Sequence, residues 1–190
     1  PIVKIAKKYR LKVIEDCAHA IETRYKNKNT GTFGYTGCFS FYANKNITTG
    51  EGGMLTCSDE KIAHKVEVMR LHGMSRDAWK RFWPGGTIPK KGKIWDHYDI
   101  KEVGLKYNMI DINAAIGIVQ LKKINNMLKE REKIVNFYRK NLIDLPIYFQ
   151  EEGGYNFKNA HHLFTVILDN KKTKKKRDFL LRYLHDNGIG

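Results

Sequence analysis

Residues 39–53 are Phe39-Ser40-Phe41-Tyr42-Ala43-Asn44-Lys45-Asn46-Ile47-Thr48-Thr49-Gly50-Glu51-Gly52-Gly53. We expect the rest of the chain to be organised around this stretch. It joins two apolar runs, Cys38–Tyr42 and Met54–Cys57, each of which predicts a buried β-strand. Between them lies Lys45, in a turn rich in Asn, Thr and Gly. Because desolvation between buried strands disfavours the charged ammonium, we expect the amine of Lys45 to act as a nucleophile.

Upstream of this stretch, a helical pattern is followed by a strand pattern. Ile2–Tyr9 predicts an amphipathic helix, and Leu11–Ile14 predicts a short buried strand that is followed by Asp16. This order is typical of α/β proteins with a parallel sheet, in which ligands gather at the carboxyl ends of strands. Asp16 lies at such an end. It either caps a helix that starts at Cys17 or faces a cationic ligand.

Ser40 is the second polar candidate, five positions before Lys45. Strand alternation directs its side chain to the face opposite Phe39 and Phe41. Its hydroxyl either donates to a phosphate or satisfies a neighbouring backbone group, and the pattern alone leaves both open.

The remaining segments continue the mixture of helices and strands. We predict a strand at Thr23–Tyr25, a helix from an N-cap at Ser58 to about Gly73, a helix over residues 111–142, a strand at His162–Leu168 and a helix at Arg177–His185. Small residues early in the long helix predict a close backbone approach: Ala114, Ala115 and Gly117. Met74–Asp99, which holds all three tryptophans, is predicted to be a functional loop that binds a sugar or a base, or that packs at a subunit interface.

The composition is that of a basic globular protein. The chain has 190 residues, 42% of them hydrophobic, and a formal net charge of +15. Such charge suggests nucleic-acid or phosphate ligands, but the dense run Lys171–Arg177 lies between a predicted strand and a predicted helix, which favours a solvated loop. The pattern at both ends predicts a segment of a longer protein.

Three cysteines in or beside apolar runs predict reduced core thiols and a cytoplasmic protein: Cys17, Cys38 and Cys57. No apolar stretch approaches the length of a membrane span, and we find neither a signal peptide nor metal-ligand spacing.

Lys45, Asp16 and Ser40 together suggest pyridoxal phosphate as the cofactor. The aldehyde of this cofactor needs an amine for a Schiff base. Its ring nitrogen needs a carboxylate partner to stay protonated, and its phosphate needs hydroxyl and N–H donors.

Six segments carry a resemblance to a known family: 13–20, 31–34, 39–53, 71–74, 78–81 and 104–115. They closely resemble the DegT/DnrJ/StrS family of sugar aminotransferases. The resemblance implies an α/β chain of fold type I, the aspartate aminotransferase-like fold of pyridoxal-phosphate-dependent transferases. It implies part of a large domain with a mostly parallel sheet in residues 1–110, a connecting helical region in 111–145, and a truncated small α+β C-terminal domain in 146–190.

The resemblance also implies the reaction. Members transfer an amino group from L-glutamate to a keto group of a nucleotide-linked sugar, and they work as homodimers with shared active sites. The segment Ala78–Arg81 favours members that aminate C4 of sugars for surface polysaccharide or lipopolysaccharide. The charged side chains in and near this segment either meet the sugar's diphosphate or are solvated: Arg76, Lys80 and Arg81.

Residue by residue, the resemblance implies that Lys45 forms the family's Schiff base and that Asp16 partners the pyridinium nitrogen. His19 would lie against the cofactor ring or its hydroxyl, and Ser40 would bind the phosphate.

Four further positions bear on the resemblance. Either Lys106 or Asn108 would reach the cofactor phosphate of the partner subunit. The chain departs from the family pattern at Glu22, where Gly is usual, and at His161, where Trp is frequent.

Three alternatives remain at this point. The first is a relative that binds the cofactor in a regulatory or non-transaminase role. The second is a fold type I transferase that acts on a small amino acid. The third is a basic nucleic-acid-binding module, which would bind DNA or RNA with a steep dependence on salt.

Overall fold

The structure is a computed structural model, and it describes residues 1–75, 100–152, 154 and 156–189. The helices among these residues are α1 (Ile2–Lys8), α2 (Glu60–Met69), α3 (Asp111–Asn141) and α4 (Arg177–Asp186). The strands are β1 (Ile14–Asp16), β2 (Arg24–Tyr25), β3 (Lys28–Asn29), β4 (Thr36–Ser40), β5 (Gly53–Cys57), β6 (Ile147–Phe149), β7 (Phe157–Lys158) and β8 (Val166–Leu168).

The first sheet has the order β1-β4-β5. β1 and β4 are parallel, with Asp16 opposite Cys38, whereas β4 and β5 are antiparallel, with Ser40 opposite Gly53. Within the described residues this sheet is therefore mixed, although the expectation was a mostly parallel one. Because β1 and β4 run in the same direction, Asp16 and Ser40 lie at the same edge of the sheet.

Two predicted strands were misplaced by two or three residues. Leu11 belongs to the turn after α1, since its N–H donates to the carbonyl of Ala6 (2.8 Å), and β1 therefore starts only at Ile14. β4 lies two residues earlier than predicted, because the strand pairing ends at Ser40. The strands are also less buried than expected, with Ile14 69% exposed and Met54 53% exposed.

A second sheet joins distant parts of the chain. Its order is β3-β2-β7, and β7 pairs with β2 through Arg24 and Lys158. A turn joins β2 to β3, and Lys26 and Asn27 have φ values of 49° and 59° there. Residues 146–190 thus contribute a strand beside the first part of the chain. The proposed division into domains stays a prediction.

The C-terminal part has a third sheet and a helix. β6 and β8 form an antiparallel pair, and α4 follows. The strand predicted at His162–Leu168 is shorter than expected and covers only Val166–Leu168. Residues 162–165 are not part of a strand. Just before them, two backbone N–H groups donate to side chains and not to a neighbouring strand: that of Ala160 to Thr23 Oγ1 (3.2 Å) and that of His161 to Asn159 Oδ1 (2.9 Å).

Helices α2 and α3 lie close to their predicted positions. The predicted N-cap of α2, Ser58, was wrong by one residue: Asp59 Oδ1 accepts from the N–H groups of Lys61 (2.9 Å) and Ile62 (3.4 Å). α3 begins at Asp111 as predicted and contributes the buried Leu128 to the core.

In the described part of the chain, the structure contains no helix with the length and apolar character needed to cross a membrane. Its described residues include no group of three or more potential metal ligands.

Candidate active site

The turn that carries Lys45 is closed by backbone hydrogen bonds. After β4 ends, the N–H of Phe41 donates to Gly52 (2.8 Å) and that of Thr49 to Phe41 (2.9 Å). Inside this closed loop, the N–H of Lys45 donates to the carbonyl of Tyr42 (3.0 Å). These bonds fix the position from which the Lys45 side chain extends.

Helix α3 packs against the same loop. Asn113 Nδ2 donates to the carbonyl of Glu51 (3.0 Å), and Gln120 Oε1 accepts from the N–H of Thr48 (3.4 Å). Gly117 lies between them, where an added Cβ would be 3.1 Å from Thr49 Cγ2. The predicted close approach of the helix is therefore found at Gly117.

The amine of Lys45 contacts one of the other predicted site residues directly. Lys45 Nζ and His19 Nε2 share a hydrogen bond of 2.7 Å. Lys45 is half-buried and lies in the loop between β4 and β5, so it is neither a fully solvated surface lysine nor enclosed by the two strands. The side chain is held by the histidine while it still reaches solvent, which keeps its amine accessible to a reactant.

Asp16 lies at the carboxyl end of β1, as predicted. Its Oδ1 accepts from the N–H of Ala18 (3.0 Å), and the residue is exposed. No helix starts at Cys17, and the chain turns there instead, so of the two alternatives for Asp16 the helix cap is not found. The carboxylate stabilises a turn and remains open to a ligand, and the same turn leads to His19.

Within the described residues, the side chain of Ser40 makes one hydrogen bond, which is long and joins it to a residue close in sequence. Its Oγ accepts from the N–H of Tyr42 at 3.4 Å, which corresponds to the backbone alternative in a weak form. Since the contact uses a lone pair, the hydroxyl proton of Ser40 stays available for another acceptor.

Lys106 and Asn108 lie on a different segment. Their side chains hydrogen-bond to each other, and Lys106 pairs with Leu71 just after α2. Within the described residues, neither side chain shares a hydrogen bond with Lys45 or Asp16. Their predicted contact with a partner subunit stays a prediction. For Arg76, Lys80 and Arg81 the alternatives were contact with the sugar's diphosphate or solvation, and these residues lie outside the described part of the chain, as do residues 76–99 of the segment predicted to be a functional loop.

The sequence did not predict a second layer of side chains behind Lys45, which consists of His162, Asn46 and Glu22. The ring of His162 lies 4.0 Å from that of His19 between centroids. His162 Nδ1 and Asn46 Oδ1 are 2.7 Å apart, and Asn46 Nδ2 donates to Glu22 Oε2 at 2.8 Å. Only the unusual identity of Glu22 pointed to this layer, and its role was not anticipated.

The surroundings of His162 disfavour the charged form of its imidazole. Burial lowers the pKa of His162 below the ordinary value of an imidazole. The neighbouring groups lower this pKa further, in the order His19, Lys45 and Arg131.

The groups present fit pyridoxal phosphate by their chemistry. The amine of Lys45 suits an aldehyde, the exposed carboxylate of Asp16 suits a pyridinium nitrogen, and the Ser40 hydroxyl suits a phosphate. Asp16 and Ser40 share one edge of the sheet, and the turn after Asp16 brings His19 onto Lys45. This arrangement is the observation on which the candidate site depends.

Comparison with known proteins places the chain among aminotransferases. Residues 1–190 match the DegT/DnrJ/EryC1/StrS aminotransferase family. The spore coat polysaccharide biosynthesis protein SpsC of Bacillus subtilis is 39% identical over 185 residues, which are 97% of this chain and 46% of that protein.

Solved structures give the same result. PseC of Helicobacter pylori, an aminotransferase involved in the biosynthesis of pseudoaminic acid, matches 98% of this chain and 46% of its own, with a TM-score of 0.81 and 29% identity. The putative sugar aminotransferase Spr1654 of Streptococcus pneumoniae in its PLP-form matches 98% of this chain and 44% of its own, with a TM-score of 0.79 and 27% identity. The chain spans about half the length of these relatives.

These matches decide three of the predictions. The resemblance to the family is confirmed over the whole chain. The fold class, an α/β chain of fold type I, is confirmed by the aminotransferase structures. Pyridoxal phosphate is confirmed as the cofactor of the family, of which Spr1654 is known in PLP-form and PMP-form.

Proposed function

Because the chain belongs to the DegT/DnrJ/EryC1/StrS aminotransferase family, we propose that its protein aminates a nucleotide-linked sugar. The donor is L-glutamate, and the acceptor is a keto group at C4 of the sugar. The product is an amino sugar for surface polysaccharide or lipopolysaccharide. The names of SpsC and PseC, which refer to spore coat polysaccharide and pseudoaminic acid, support a sugar substrate of this kind.

The observation that carries the proposal is the hydrogen bond of 2.7 Å between Lys45 Nζ and His19 Nε2, next to the edge that holds Asp16 and Ser40. The bound cofactor supplies an electron sink for negative charge at the substrate's reacting carbon. With the cofactor bound, Lys45 Nζ would hold its aldehyde, and the same amine would serve as general base and acid for the proton at the substrate's reacting carbon.

The other residues orient the cofactor. The carboxylate of Asp16 would hold the proton on the cofactor's ring nitrogen, and the hydroxyl of Ser40 would donate to its phosphate. His19, which hydrogen-bonds to the Lys45 amine, would lie against the cofactor ring. We further propose that Lys106 or Asn108 reaches the phosphate of a partner subunit in a homodimer, and that the protein is cytoplasmic.

The alternatives make different predictions. A regulatory relative would bind the cofactor at Lys45 but transfer no amino group. A fold type I transferase for small amino acids would aminate a small keto acid rather than a sugar. A nucleic-acid-binding module would draw on the net charge of +15, and the family assignment favours the aminotransferase over it.

The test is amino transfer by the full-length protein. The enzyme is incubated with pyridoxal phosphate, L-glutamate and a panel of UDP-, dTDP- and GDP-linked 4-ketosugars, and mass spectrometry measures the amino sugar and 2-oxoglutarate. We expect one sugar of the panel to be aminated. Lys45→Ala should lower kcat by about 10²–10⁴-fold, since it removes the general base and acid.

A matched lysine controls for the loss of charge. Lys133, on the exposed face of α3, pairs with Glu130 at 2.7 Å, so Lys133→Ala should leave kcat unchanged. Cofactor bound at Lys45 without amination of any sugar would contradict the transferase proposal and favour the regulatory alternative.

A further inference from the structure

Glu22 has a buried carboxylate at a position for which the sequence resemblance gives glycine. The residue is only 8% exposed. Arg131 of α3 forms an ion pair with it, and Arg131 Nε also donates to the carbonyl of Ala160 (3.1 Å). A carboxylate this deeply buried needs such partners. Glu22 therefore links the turn after β1 to helix α3 and to the C-terminal segment.

The pair determines the orientation of Asn46, the residue after Lys45. Asn46 Nδ2 donates to Glu22 Oε2 (2.8 Å) and to the carbonyl of Ala160 (2.9 Å). Because both amide protons are used, Oδ1 of Asn46 faces His162 and must accept from it. We infer that Nδ1 of His162, 2.7 Å from this oxygen, carries the proton, and in the neutral ring Nε2 then carries none.

The ring of His162 in turn supports the ring that holds Lys45. His162 packs on His19 at 4.0 Å between centroids, and His19 shares its Nε2 hydrogen bond with Lys45. A neutral His162 supports His19 without adding a positive charge beside the amine. The side chains from Arg131 to Lys45 thus form one continuous chain of contacts.

We propose that Glu22 is a positioning residue, which with Arg131 orients the side chains that hold the amine of Lys45. It acts on Asn46, then on the tautomer of His162, and through the His19 ring on Lys45. This inference rests on the proposed role of Lys45 as the lysine that bonds the cofactor.

Two variants of the full-length apo-protein test it. Glu22→Ala removes one of the two oxygens that accept from Asn46 Nδ2. Asn46→Ala removes the oxygen that accepts from His162, while the Glu22–Arg131 pair stays intact. The second variant serves if the first fails to fold. The control is Asp169→Asn, which changes another buried carboxylate, hydrogen-bonded to Tyr148 in the region of β6 and β8.

Two measurements are made on each protein. Nitrogen-15 NMR of labelled histidines gives the tautomer of His162, and absorbance gives the rate at which added pyridoxal phosphate is captured. We expect a single neutral Nδ1–H tautomer in the wild type and the control, and a mixture in both variants. Capture should slow by about three- to tenfold in the variants, the effect of one side chain that must be ordered anew, and by less than about twofold in the control.

An unchanged His162 tautomer in the variants would overturn the proposal, as would an unchanged capture rate or an equal slowing in the control. The two proposals fail in different ways. If the wild type captures no cofactor at Lys45, the proposed function fails. If the wild type captures it and the variants match the wild type in both His162 tautomer and capture rate, only the positioning role of Glu22 fails.

Discussion

Replacing Glu15 should test how β1 holds the loop that leads into β4. Its Oε1 accepts from the N–H groups of Phe33 (2.6 Å) and Gly34 (2.6 Å), and its Oε2 accepts from that of Gly31 (2.8 Å). Each hydrogen bond to a charged group contributes about 1.5–3 kcal/mol, and an orphaned buried donor adds a further cost. Three such bonds sum to about 4.5–9 kcal/mol. Because Glu15 is only half-buried, we discount this sum for solvent and expect Glu15→Ala to lower the free energy of unfolding by about 3–5 kcal/mol.

Glutamine should be a milder replacement, for a geometric reason. Its single carbonyl oxygen can serve Phe33 and Gly34 together, but its amide nitrogen then faces the N–H of Gly31. One conflict between donors predicts a loss of about 1–3 kcal/mol for Glu15→Gln.

Urea unfolding of the full-length protein, followed by circular dichroism, measures both variants. Glu130→Gln is the control, since this carboxylate lies on the surface and pairs only with Lys133, and it should change stability by less than about 0.5 kcal/mol. The account of this loop is refuted if Glu15→Ala stays within about 1 kcal/mol of the wild type, or if glutamine is as destabilising as alanine.

Three other changes have defined outcomes. Asp59→Ala removes the N-cap of α2 and should cost about 1 kcal/mol in urea unfolding, and no measurable loss would contradict the capping assignment. Leu128→Ala empties a core position that is 2% exposed and should cost about 2–5 kcal/mol, whereas a loss below about 1 kcal/mol would mean that the core around α3 is misassigned. The hydroxyl of Tyr148 donates to Asp169 and holds the pKa of that carboxyl below its ordinary value. A lowered pKa in the folded state adds stability above the unfolded pKa, and this stability is lost as the pH falls through the folded pKa. Thermal melting of Tyr148→Phe between pH 6 and pH 3 should therefore depend less on pH than that of the wild type, and identical slopes would contradict the assignment.

Local patterns predicted the elements that have a strong period or a distinct boundary residue. The helix expected over residues 111–142 is α3, because a long 3.6-residue apolar stripe distinguishes a helix clearly. The strand Leu11–Ile14 was misplaced, since an apolar run shows hydrophobicity but not the register of hydrogen bonds. β1 pairs from Ile14 onward because Tyr35 donates its N–H to the carbonyl of Val13.

In the candidate site, too, the sequence predicted some residues and not others. Lys45, Asp16 and Ser40 could be selected because strand ends and turns are local features that concentrate polar groups. The layer behind them could not, because Glu22 and Arg131 are separated by 109 positions and Asn46 and His162 by 116. One sequence carries no signal for such a pairing, and only the folded chain reveals it.

The most direct test of the central claim is chemical capture at Lys45. The full-length protein is incubated with pyridoxal phosphate, reduced with borohydride, digested and analysed by mass spectrometry. We expect a pyridoxyl group on the peptide that contains Lys45. In Lys45→Ala this group should be absent from that peptide. A pyridoxyl group on a different lysine, or an undiminished adduct in Lys45→Ala, would contradict it.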